Sequence, residues 1–219
     1  MGMPVTVEIS DIGHAEGVFE EVFNYFEHIE QKFSVYKPDS EISRINRGLL
    51  AEADYSEEMK EVLRLSVETK IATKGFFDIE WGLGKYDPSG LVKGWAIYNA
   101  AGMLQDKDYK NFYVEAGGDM QVYGKNNSGQ DWRVGIRNPF QPEEIIKTVA
   151  ITDCGMATSG TYLRGQHIYN PHAKEKPILE IVSLTVIGPT VYEADRFATA
   201  AFAMGRKGID FIEQLPDLE

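Results

Sequence analysis

The chain has 219 residues, 43% of them hydrophobic, and a formal net charge of −12. That acidity argues against a nucleic-acid binder, which needs clustered Lys and Arg, but not against a phosphorylated ligand whose charge a divalent cation neutralises. A single cysteine, Cys154, allows no internal disulfide and no cysteine-built zinc site, and no apolar run approaches the roughly 20 residues of a membrane span.

Length and apolar content suit one domain over residues 1–219. The start, Met1-Gly2-Met3-Pro4-Val5-Thr6-Val7-Glu8-Ile9, alternates like a strand and lacks the charged, then apolar, pattern of a signal peptide. The expected setting is the cytoplasm, with export or lipid anchoring as the alternative if a leader has been trimmed.

Period-two alternation predicts a strand over residues 4–10. Val18, Phe19, Val22, Phe23, Phe26, Ile29 and Phe33 recur at three- and four-residue steps, which predicts an amphipathic helix packed on a sheet. The segment 34–40 breaks it with Pro38 and two serines. A second helix is expected from about Asp54, with Glu57 as capping-box partner. Met59, Val62, Leu63, Val67 and Ile71 would form its inner face and Gly75 its stop. Phe76 to Ile79 reads as a short strand, and 82–90 as a turn-rich connection. Asp87-Pro88-Ser89 opens a third helix running to about Gly102. Strands follow at 112–116, 120–123, 132–136, 148–152, 156–158 and 181–187. A final helix is expected from Ala194 to about Met204, ending at Gly205. Helices early and strands late give an α+β class: a mixed or antiparallel sheet flanked by helices.

Four fragments carry chemistry. Asp195 and Thr199 are four apart on a predicted helix, so their oxygens share one face. Such hard donors suit Mg²⁺ or Ca²⁺ rather than zinc, although a helix-start carboxylate and an ordinary threonine have the same spacing. Gly117-Gly118-Asp119 follows a strand, where paired glycines permit either a tight turn or close approach of a ligand. Thr158-Ser159-Gly160 offers hydroxyls and flexible backbone for phosphate oxygens, or a polar hairpin turn. His167 can take a proton from a hydroxyl near neutral pH or serve structure alone; His14, His28 and His172 have no evident role. The chain contains neither G-x-x-x-x-G-K-[ST] nor G-x-G-x-x-G, so nucleotide binding here would not use a P-loop or Rossmann turn.

Taken in order, these fragments resemble the FAD:protein FMN transferase family, also called the ApbE family. Met1-Gly2 precedes the first strand, and Phe33 to Asn46 resembles the family's S-x-Y-x-x-x-S-x-[IL]-x-x-[IL]-N segment. Lys93-Gly94-Trp95-Ala96 resembles its K-G-x-A, Gly117-Gly118-Asp119 its G-G-D turn, and Trp132 to Pro139 its W-x-V-G-I-x-x-P strand. Thr158-Ser159-Gly160, His167 to Pro171 and Val186 to Thr199 complete the set, which covers nearly the whole chain. The stretch from Ile79 to Asp87 is shorter than the family's usual insertion there.

The resemblance implies an ApbE-like fold and a Mg²⁺-dependent enzyme. Its substrate would be FAD, cleaved to release AMP, with FMN left as a phosphoester on a Thr or Ser of a partner flavoprotein. It implies Asp195, Thr199 and the carbonyl of Gly90 as metal ligands. Met1, Tyr36, Asp87, Lys93, Gly117, Gly118, Asp119, Thr158 and Ser159 would contact FAD, and His167 would deprotonate the acceptor hydroxyl. Two other readings are an FAD pyrophosphatase, with water in place of the hydroxyl, and a flavin binder without turnover.

Overall fold

The computed structural model describes residues 2–11, 13, 17–161 and 168–219. Five strands form its main sheet: β1 (Val5–Ile9), β4 (Phe112–Ala116), β5 (Asp119–Tyr123), β8 (Cys154–Gly160) and β9 (Ser183–Gly188), in the order β1-β4-β5-β8-β9. Every neighbouring pair is antiparallel, so the sheet is antiparallel rather than mixed. Two hairpins stand apart from it: β2 (Glu80–Gly82) with β3 (Lys85–Tyr86), and β6 (Trp132–Asn138) with β7 (Gln141–Ile151).

The helices are α1 (Val18–Phe33), α2 (Glu41–Asn46), α3 (Glu57–Ala72), α4 (Ser89–Asp106), α5 (Val191–Ala203) and α6 (Lys207–Glu213). Helix α4 is apolar on nearly every side, with Leu91, Val92, Trp95, Ala96, Ile97, Ala100, Ala101 and Leu104 all buried. Such a helix belongs inside. It lies between α1 and the sheet and meets α5 alongside. The α1 stripe Val18, Val22, Phe26, Ile29 and Phe33 packs on it, with Phe33 edge-on to Trp95 at 5.8 Å between centroids. The opposite face of the sheet is covered by the base of the β6–β7 hairpin, where Trp132 and Ile151 pack on Val122 and Met156. Trp132 also donates to the Tyr123 carbonyl at 3.0 Å.

Several expectations are corrected. Residues 76–79 form no strand; the paired residues come later, in β2 and β3. Helices α2 and α6 were not foreseen. The cap of α3 is Ser56, whose hydroxyl accepts from the Met59 amide at 3.2 Å, and Asp54 lies in a short 3-10 turn before it. Val67 and Ile71 are exposed on α3, whereas Ser66 and Thr69 are buried, as is Thr73 just beyond. Those three hydroxyls donate to the carbonyls of Val62, Leu65 and Thr69 four residues back, which removes the penalty for burying them. Phe23 on α1 is likewise exposed. No helix among the described residues is long and apolar enough to cross a membrane.

Candidate active site

Two close approaches assemble the site. Gly155 of β8 lies so near α5 that a Cβ there would meet the Val191 amide nitrogen at 1.9 Å. Gly94 of α4 plays the same part against the body of α5: a Cβ would meet both the Cβ of Asp195 and the carbonyl oxygen of Val191 at 2.7 Å. Glycine in a helix interior costs about 1 kcal/mol relative to alanine. Here it lets two helices touch backbone to backbone and brings the Gly94 amide to Asp195, donating to Oδ2 at 2.8 Å.

Thr190 caps α5 by accepting from the Glu193 amide at 3.1 Å, which fixes the start of the helix. Asp195 and Thr199 then project one turn apart toward α4. Thr199 Oγ1 lies 3.4 Å from the carbonyl oxygen of Gly90, to which it donates. In a regular helix that carbonyl would take the Gly94 N–H, the same N–H that serves Asp195.

Lys93, one residue before Gly94, reaches between two carboxylates, with its ammonium 2.5 Å from Asp119 and 3.5 Å from Asp195. Asp119 is buried and also accepts from the Thr158 amide at 2.9 Å, tying the start of β5 to β8. Burial pushes the Asp195 carboxyl well above the usual carboxylate range. Lys93 opposes this, Asp119 adds to it, and the Gly94 amide opposes it. A positive charge placed at Asp195 favours its ionised form.

The carboxylate of Asp195, the hydroxyl of Thr199 and the carbonyl of Gly90 form an all-oxygen donor set of the kind hard divalent cations take. Donors at right angles lie about 2.8–3.0 Å apart around Mg²⁺ and about 3.3–3.7 Å apart around Ca²⁺; the Gly90–Thr199 separation of 3.4 Å is inside the second range and within about 0.5 Å of the first. The three residues fit the cation.

These groups open onto a cleft of about 1360 Å³. Tyr36, Asp87, Gly90, Lys93, Gly117, Gly118, Thr158, Ser159, Asp195 and Thr199 all line it, from five separate segments of chain. Asp119 does not; it stands behind Lys93 as a support rather than at the surface as a ligand contact. Gly117 and Gly118, at φ +61° and +97°, form the two-residue turn of the β4–β5 hairpin, whose primed geometry demands positive φ at both positions. No atom lies within 4 Å of a Cβ built on Gly118. Asp87 borders the cleft and also accepts from the Ser89 amide at 3.1 Å, opening α4. The Thr158 hydroxyl is shared with Thr185 at 2.9 Å, and its neighbour Ser159, buried, lines the same cleft. Met1 and His167 lie outside the described residues, as does His14. His28 and His172 have structural partners, Glu58 at 2.9 Å and the Lys74 carbonyl at 3.0 Å.

The family model of the ApbE family matches residues 1–83 and 84–219. The chain belongs to the ApbE family. It is 24% identical over 286 aligned residues to a protein of Haemophilus influenzae named FAD:protein FMN transferase, covering 98% of this chain and 82% of that one. A Vibrio cholerae protein of the same name is 24% identical over 85% of this chain and 73% of its own length. Among solved structures, the ApbE protein of Thermotoga maritima superposes with a TM-score of 0.86 at 22% identity, covering 99% of this chain and 90% of that one. The flavin transferase ApbE of Vibrio cholerae gives 0.83 at 23%, over 97% and 87%. The α+β ApbE fold is therefore shared along almost the full chain.

The sequence leaves Gly94 without a role of its own and names Asp119 only as an FAD contact. Gly94 was read only as part of a motif, although a glycine inside a predicted helix is itself a signal of close approach. Asp119 was placed against the ligand because its role depends on Lys93, 26 residues earlier, and no local pattern reveals that pairing.

Proposed function

We propose that this ApbE-family chain is an FAD:protein FMN transferase. Its acceptor is a Thr or Ser hydroxyl of a partner flavoprotein, and its location is cytoplasmic. The hydroxyl oxygen attacks the FMN-side phosphorus of FAD, the bridging P–O bond breaks, AMP leaves and the hydroxyl proton is lost. The single observation behind this reading is the convergence of Lys93, Asp195, Thr199 and the Gly90 carbonyl on one cleft, which gives a pyrophosphate both cationic and metal-holding partners.

Asp195, Thr199 and Gly90 would hold Mg²⁺, which when bound supplies neutralisation of charge on the pyrophosphate oxygens. The protein's own part is positioning, which suits phosphoryl-type transfer. Asp119 holds the Lys93 ammonium toward the phosphates. Ser159 and the Gly117–Gly118 turn line the same cleft and contact FAD, as do Tyr36, Asp87 and Thr158; Met1 is assigned to FAD on the sequence resemblance alone. His167 receives the acceptor proton, an assignment that rests on the sequence resemblance.

The test is incubation of the protein with FAD and Mg²⁺, with AMP measured in the supernatant and masses recorded for a candidate acceptor flavoprotein. AMP together with an FMN-sized mass gain supports the proposal, and Asp195→Ala should remove both. AMP with no adduct on any acceptor would make the protein an FAD pyrophosphatase. Tight FAD binding with no AMP would leave a binder.

A further inference from the structure

The cleft is larger than the roughly 300–1,000 Å³ that encloses one small ligand, so its walls have room for a second reactant beside a dinucleotide. One wall is unusual. Val134, Gly135, Ile136 and Arg137, four consecutive residues of β6, all line it. Side chains alternate between the two faces of a strand, so a cavity lying over one face would meet every second residue only. Gly135 has no side chain and so borders the cleft through its main chain, while the pairing with β7 shifts register at Arg137, which re-aims that side chain. Among the described residues β6 pairs only with β7, on its other side.

Both strands carry exposed charge around an apolar centre: Glu143, Glu144 and Lys147 about Ile145 and Ile146 on β7, and Arg133 and Arg137 about Val134-Gly135-Ile136 on β6. What sets β6 apart is that its apolar run lies against the cleft. Main-chain donors and acceptors that are unpaired among the described residues, beside a reaction cleft, are best met by another strand, because only extended backbone repeats at the same spacing.

We propose that the hydroxyl-bearing segment of the acceptor protein binds in extended form by adding as a strand to the free edge of β6, which carries its hydroxyl into the cleft. This rests on the transferase reading above. It makes acceptor recognition mainly a main-chain event at residues 134–137, with the side chains of Val134 and Ile136 choosing among acceptor residues.

The experiment uses a library of short peptides, each with one central threonine, incubated with the whole protein, FAD and Mg²⁺. The peptide that gains the FMN mass most efficiently is then resynthesised with a single N-methyl group at each backbone position in turn. Strand addition predicts a period of two: methylation at alternate residues raises KM about tenfold, the worth of one lost hydrogen bond plus a steric block, and the residues between tolerate it. Uniform sensitivity, or none, overturns the proposal. So does a folded acceptor that is modified when no peptide is, since recognition would then need a preformed surface. Failure to release AMP, or AMP without transfer to anything, sinks the transferase reading itself and this inference with it.

Discussion

Asp119, Asp195 and Gly94 each have a distinct expected failure. Asp119→Asn keeps an oxygen for the Thr158 amide but loses the charge that holds Lys93. We expect the KM for FAD to rise about 10–100-fold, the usual scale for a supporting residue behind a charged ligand, with Asp119→Glu restoring part of it. A purely structural role would instead lower the melting temperature and leave KM alone. Asp195→Asn should abolish Mg²⁺-dependent AMP release while FAD binding, followed by flavin fluorescence, persists. Gly94→Ala forces a Cβ to within 2.7 Å of Asp195 Cβ and the Val191 carbonyl. Overpacking of that sort costs about 1–3 kcal/mol, so chemical denaturation should show lost stability alongside lost turnover.

At the scale of the element, α3 separates propensity from packing. Its cap is Ser56, which also donates to Glu41 Oε2 at 2.7 Å. Ser56→Ala should cost about 1 kcal/mol or more, whereas Asp54→Ala, at an exposed site before the helix, should change stability by less than about 0.5 kcal/mol. Urea midpoints measured on both variants decide which residue is the cap. The stripe Met59, Val62, Leu63, Val67 and Ile71 is half right. The inner face starts with Met59 and Val62 but continues through Ser66 and Thr69, and Arg196 donates to Thr69 Oγ1 at 3.1 Å. Hydropathy cannot anticipate this, because a threonine whose hydroxyl bonds within its own helix is as easily buried as a valine.

For the whole molecule, acid should be destabilising through identifiable carboxylates. Burial opposes the charge of Glu58, but hydrogen bonds and attraction from Lys32 and His28 outweigh it, so its pKa in the folded state lies below 4.5. Burial likewise opposes Asp11, whose bonds to Asn111 and Lys110 hold its pKa below 3.8. A group depressed on folding stabilises the native state fully above its unfolded pKa and loses that contribution as pH falls through the folded one. Melting temperature should therefore decline as pH drops below about 4.5. Glu58→Gln should lower the melting temperature at neutral pH and flatten that decline, and thermal scans across pH would reveal either outcome.

The sequence alone determined what is local. The alternation of 112–116, the apolar stripe from Val18 to Phe33 and the four-residue spacing of Asp195 and Thr199 each reflect a period set by backbone geometry, and these emerge in β4, α1 and α5. The ordered fragments also pointed to the ApbE family before any fold was known. Only the tertiary structure decided what faces what. Gly90 meets Thr199 across 109 residues, the Gly94 amide meets Asp195 across 101, and Asp119 of β5 supports Lys93 of α4 from behind the cleft wall. These pairings follow from two glycines that let α5 press against α4 and β8. Close packing between distant segments depends on their whole surfaces together, and no short window of residues contains it.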